Sequence, residues 1–87
     1  MKNRHIKKAA ALKYNKELDG APRVVAKGRG AVAEKIMEIA GRHQIPVVAD
    51  PNLAQMLDAM DLETEIPQEM YQAVAEVLVF VYRLNQK

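Results

Sequence analysis

The chain contains no cysteine among its 87 residues. That excludes a disulfide framework, a thiolate metal site and a cysteine nucleophile. It also lacks a long apolar run: the longest, "VLVFVY" from Val77 to Tyr82, falls far short of the roughly 20 residues that span a bilayer. The N-terminus is charged ("MKNRHIKK"), and the segment after it is interrupted at Lys13, too early for the core of an export signal. These absences predict a soluble cytoplasmic protein. Aromatic residues are scarce too, with three tyrosines, one phenylalanine and no tryptophan. A chain this short forms one domain and buries about 60 to 65% of its unfolded surface.

Charge is present but unevenly placed. Net charge is +2, yet Lys2, Arg4, Lys7, Lys8, Lys13 and Lys16 come with no acid between them, whereas Asp50, Asp58, Asp61, Glu63, Glu65 and Glu69 come with no base. A basic arm suits a nucleic acid, an anionic surface or an acidic partner, or is a solvated end. Only Tyr14 lies near that arm, which weakens a model of base stacking on a single strand.

Periodicity gives the organisation. Ile6, Ala10, Leu12 and Tyr14 alternate as in a strand with one wet face. "NKELDGAP" reads as a turn, and "RVVAK" as a second strand. Val32, Ile36, Ile39 and Ala40 recur at helical spacing between Gly30 and Gly41. "IPVVA" predicts a third strand, and Asp50 before Pro51 predicts the N-cap of a short helix striped by Leu53, Met56, Leu57 and Met60. Pro67 opens the longest periodic segment, in which Tyr71, Val74, Leu78 and Val81 share a face widened by Met70, Val77 and Leu84. The expected fold is therefore α/β: a small mixed sheet with helices packed around it, in the order β-β-α-β-α-α. The strand-helix-strand unit from Arg23 to Ala49 should cross over right-handed and make two strands parallel.

One motif suggests chemistry. "VVAKGRGAVAEKI" ends an apolar run in Gly28-x-Gly30-x-x-Ala33, and Asp50 follows twenty residues past Gly30, close to a dinucleotide-binding layout. Free N–H groups at a helix start could hold an anion. Lys27 stands where that layout wants an apolar residue, and the chain has no room for a second mononucleotide half. Glycines that supply positive φ and close packing are the simpler reading. Neither His5 nor His43 has a partner at metal-binding spacing; His43, closing the first helix, suits the helix dipole. No nucleophile motif occurs, so no catalytic residue, cofactor or metal is expected.

Taken in order, "AALKYNKE", "APRVVAKG", "IMEIAGRHQIPVV", "PNLAQML" and "IPQEMYQAVAEVLVFVYRL" resemble the C-terminal cytoplasmic domain of the FlhB family, export-switch proteins of flagellar and related type III secretion machines. The resemblance covers residues 9–84, with 1–8 a basic arm running into the first strand and 85–87 a tail. It departs from the family at two points. No membrane helices precede the domain in this sequence, and the family's self-cleaving Asn-Pro-Thr-His is replaced by Arg4, His5, Ile6 and Lys7, with no Asn-Pro pair anywhere. The chain starts about where the cleaved C-terminal fragment of FlhB starts, and looks like that fragment made separately.

The resemblance implies a non-catalytic binding module of the export apparatus, standing in for or supplementing the cleaved C-terminal part of FlhB in substrate recognition or switching. Its implied partners are the N-terminal part of FlhB, export-gate subunits and export substrates, at the cytoplasmic face of the membrane gate, with no membrane insertion and no nucleic acid. The family's hydrophobic substrate patch maps here onto Ala21, Pro22, Ala75 and Leu78. Ala21 and Pro22, lying in a turn, are expected to be exposed, while Leu78 could equally be core. The alternative is a small basic nucleic-acid-binding accessory protein; a nucleotide-binding enzyme fragment is more remote.

Overall fold

The computed structural model describes residues 6–15, 17, 18 and 20–84. Lys2, Arg4, His5, Lys16 and the tail at 85–87 lie outside the described residues. Two strands, β1 (Lys8–Lys13) and β2 (Arg23–Arg29), pair antiparallel. The register runs from Lys8 opposite Arg29 to Ala11 opposite Ala26, then shifts so that Leu12 faces Val24. Val25 is thereby an extra residue on β2, a bulge that sharpens the local twist. In the connecting turn the Asn15 side-chain oxygen accepts the Glu17 N–H at 2.9 Å.

Every residue from Lys8 to Leu12 is half-buried. Because successive side chains point to opposite faces, both faces of the ribbon are covered rather than one left wet as the alternation suggested. The cover is α1 (Ala31–Arg42) and α2 (Pro51–Asp58), both of which pack on β1 and β2. A single turn of 3₁₀ helix at Gln68–Met70, begun by Pro67, leads into α3 (Tyr71–Leu84).

Glycine makes the β2–α1 corner possible. Gly30 has φ 57° and ψ −123°, a conformation that side chains oppose, and its N–H donates to the Lys7 carbonyl at 2.8 Å. A Cβ on Gly28 would lie 2.2 Å from Cγ1 of Val32. These glycines close a corner and pack it, as the simpler reading had it. At the other end of α1, Gly41 lies inside the last turn; the left-handed residue is Gln44, φ 57°, and the Ile45 N–H returns to the Ala40 carbonyl at 2.9 Å.

The third strand does not form. Residues 45–50 carry no ladder, and Ile45 and Val47 are half exposed. Pro46 has no N–H to give. The start of the free edge of β2 is occupied instead by the segment after α2. There Glu63 N–H donates to the Val24 carbonyl at 2.7 Å, Val24 N–H to Thr64 at 3.2 Å and Ile66 N–H to Pro22 at 3.0 Å, with an antiparallel bridge between Arg23 and Glu65. The parallel pair expected from Arg23 to Ala49 is thus replaced by an antiparallel one. The α/β class and the helices packed on a small sheet stand.

The core is small: Ala21, Val24, Leu53, Leu57, Ile66 and Val74, with Leu12, Met60, Met70, Val77 and Leu78 packed against it. α2 enters it as expected, the Asp50 carboxylate accepting the Leu53 N–H at 3.0 Å. Leu84, predicted to widen the α3 stripe, is 54% exposed.

An ionic cluster fastens α2 to β2. The Lys27 ammonium donates to the carbonyls of Asp58, at 2.9 Å, and of Met60, at the C-terminus of α2, where positive charge complements the dipole. Arg29 grips the Asp58 carboxylate through Nε at 2.9 Å and Nη2 at 2.6 Å. That hydrogen-bonded guanidinium holds the Asp58 carboxyl below the usual carboxylate range against a partial burial that pushes it up, with the charges of Arg29, Lys8 and Lys27 assisting. A depressed carboxyl stabilises the fold above its unfolded value of about 3.9, and that contribution disappears as pH falls through the lower, folded value. Urea unfolding of the native chain and of Asp58→Asn should therefore differ at neutral pH, the native being more stable, and the difference should shrink as pH falls below the unfolded carboxylate value. Parallel curves from pH 7 to 2 would contradict this role for the pair.

Candidate docking cavity

A cavity of about 360 Å³ opens between α3 and the loop that precedes β2. Gly20, Ala21 and Pro22 form one wall, and Tyr71, Val74, Ala75, Leu78 and Val79 the other; Tyr14 and Ile66 complete the lining. Each wall has a local cause. On α3 the lining residues recur at i, i+3, i+4, i+7 and i+8, one face of a helix. Opposite them the loop cannot swing away, because Pro22 accepts the Ile66 N–H and Ala21 is locked into the core.

All four residues predicted for the substrate patch line this one cavity, although about fifty residues separate the two pairs in sequence. Their exposure differs from expectation. Ala21 is only 3% exposed and Pro22 is buried as well, since the backbone pairing to Ile66 draws the turn inwards. Ala75 is exposed, and Leu78 is half-buried and packed against the core; both line the cavity. Sequence reasoning missed Tyr14, Gly20, Ile66, Tyr71, Val74 and Val79 as lining residues. The helical spacing around Ala75 could have found Tyr71, Val74 and Val79; Tyr14 and Ile66 come from elements that only the fold brings near.

Among the described residues no charged side chain lines the cavity. Its volume lies within the range of clefts that hold small ligands or single side chains, and sequestering one leucine-sized group there stabilises a complex by about 1.5–3 kcal/mol. A shallower depression of about 260 Å³ is lined by Glu69, Gln72, Ala73 and Glu76, all from one stretch of chain, with no facing wall. Among the described residues no group of histidines and acids could hold a metal ion, and no helix is long and apolar enough to cross a membrane. His43 is exposed at the end of α1.

Comparison with known proteins agrees with this geometry. Residues 5–81 match the model of the FlhB HrpN YscU SpaS family. The flagellar biosynthetic protein FlhB of Aquifex aeolicus is 53% identical over 80 residues, which are 91% of this chain and 23% of that protein. YlqH, a protein of Bacillus subtilis, is 37% identical over 81 residues, covering 93% of this chain and 87% of its own length. The chain thus spans about a fifth of the length of the FlhB relatives it matches and most of YlqH. Among solved structures, the cytoplasmic domain of FlhB from Shewanella putrefaciens superposes with a TM-score of 0.85 at 40% identity, covering 91% of this chain and 62% of that one. The PscU C-terminal domain superposes at 0.80 and 31% identity, covering 85% and 95%. With most of its length matched in sequence and in backbone, the chain belongs to the FlhB HrpN YscU SpaS family and has the fold of that family's solved cytoplasmic and C-terminal domains.

Proposed function

We propose that this domain is a non-catalytic binding module of the flagellar or related type III protein export apparatus, and that its cavity receives an apolar segment of an export substrate. The observation that carries the reading is the convergence of Ala21, Pro22, Ala75 and Leu78 on one cavity, whose lining among the described residues holds no charged side chain. Membership of the family supports the export role. The site of action that fits is the cytoplasmic face of the membrane gate, reached through partners. Lys7, part of the basic arm that would serve the nucleic-acid alternative, is paired with Glu34 at 3.5 Å.

A charge placed at the cavity should weaken binding, because desolvating it without a partner costs about 2–5 kcal/mol. Ala75 is the position to use; Ala21 is core, and a charge there would damage the fold itself. Ala75→Asp should keep the native circular dichroism and lose most of the affinity for export substrates in a pull-down. Undiminished capture by the folded variant would contradict the cavity's role.

The partner proposed for the sheet is an extended segment from the N-terminal part of FlhB or from an export-gate subunit. Among the described residues the outer edge of β1 pairs with no strand, and such an edge is a template for strand addition. Hydrogen exchange at Ala9 to Leu12 should slow when a peptide copying the FlhB segment ahead of its cleavage site is added. Full protection in the isolated chain, or none with the peptide, would count against this mode.

Non-catalytic status rests on Arg4, His5, Ile6 and Lys7 standing in place of Asn-Pro-Thr-His; the family's cut needs that asparagine side chain to attack its own backbone carbonyl. Intact mass should be unchanged after days at neutral pH, and a specific cut between Arg4 and Lys7 would overturn it.

A further inference from the structure

The cavity is lined mainly by apolar side chains, and a carboxylate lies beside its Gly20 wall. Glu65 immediately precedes Ile66, which is 3% exposed and lines the floor, so alternation along the extended backbone turns Glu65 outwards. Its carboxylate oxygen Oε2 lies 4.0 Å from the Cβ position of Gly20, a wall residue. The backbone holding it is fixed on both sides, by the Arg23–Glu65 bridge and by the Ile66 N–H to Pro22 bond. Arg23, opposite on β2, reaches Glu63 at 3.8 Å, and Glu65 forms no ion pair among the described residues. Two half-exposed tyrosines, Tyr14 and Tyr71, also line the cavity, and the face of such a ring attracts a cation.

We propose that the cavity selects a partner segment in which an apolar side chain has a lysine or arginine beside it, the apolar group entering and the cation meeting Glu65 and the tyrosine rings at the mouth. This rests on the reading of the cavity as a docking site and adds the chemistry of what docks. An acidic neighbour would instead face Glu65 across a few ångströms and be disfavoured. Charge therefore sets the choice between segments, while apolar contact supplies most of the affinity.

The test is a titration of the ¹⁵N-labelled full chain with acetylated hexapeptides, Ser-Gly-Leu-Arg-Gly-Ser and its versions with glutamate for the arginine or serine for the leucine. The amides of Ile66, Ala75 and Leu78 should shift with the leucine peptides and not with the serine one. The arginine peptide should bind about threefold to fivefold more tightly than the glutamate peptide, the size of an exposed ion pair, with the gap closing at high salt. Glu65→Gln should remove the gap and keep the leucine dependence; Glu65→Lys should reverse the preference. Leucine-dependent shifts with no difference between arginine and glutamate, or a gap that survives in Glu65→Gln, would overturn the selection by charge and leave the cavity standing. Absence of leucine-dependent shifts would overturn the cavity reading itself.

Discussion

The short antiparallel pairing of residues 63–66 along β2 is the constraint on which the rest of the molecule depends. Three backbone hydrogen bonds, Glu63 to Val24, Val24 to Thr64 and Ile66 to Pro22, do several things together. They satisfy the N–H and carbonyl of Val24 and the carbonyl of Pro22 at the start of the open edge of β2, which would otherwise have to be solvated. They set Ile66 into the core beside Val24 and Ala21. By fixing the residue before Pro67, they also fix where the 3₁₀ turn and then α3 begin, and hence how far the Ala75 and Leu78 face stands from the Ala21 and Pro22 wall. The cavity is the gap that this arrangement leaves. A wall held by backbone bonds keeps its shape without large side chains, which is why alanine, proline and glycine suffice on that side.

A second constraint operates at the far end of α2. A carboxylate in the last turn of a helix is unfavourable by itself, yet Asp58 occupies that position. Lys27 and Arg29, two residues apart on β2 and so on one face of the strand, convert the liability into an attachment, one gripping main-chain oxygens and the other the carboxylate. With so small a core, this polar clasp and the glycine corner at Gly28 and Gly30 hold α2 and α1 against the two strands of the described sheet.

Much of this was legible in the sequence where the cause is local. Asp50 ahead of Pro51 announced α2, because capping chemistry needs only neighbouring residues, and the glycines before α1 were rightly read as geometry. The resemblance to FlhB located Ala21, Pro22, Ala75 and Leu78, and the structure brings those four to one cavity. What failed was whatever depended on competition between distant segments. "IPVVA" has the composition of a strand, but the edge of β2 it was expected to join pairs with "ETEI" instead, an acidic stretch whose composition suggests a solvated turn. Lys27 looked like a flaw in a nucleotide motif, and its actual partners, the carbonyls of Asp58 and Met60, are about thirty residues away. Ala21 and Pro22 looked like exposed turn residues because nothing nearby in sequence reveals that Ile66 pulls them inwards.

Docking of export substrates on the Ala75 face of α3, as proposed above, is open to a direct test: a photoreactive benzoylphenylalanine is placed at Ala75, which lines the cavity, or at Gln72, which lines the shallow depression on the same helix, and cells that are exporting are irradiated. Cross-links to export substrates are expected from position 75 and not from position 72. The same products from both positions, or substrates captured only from position 72, would contradict it.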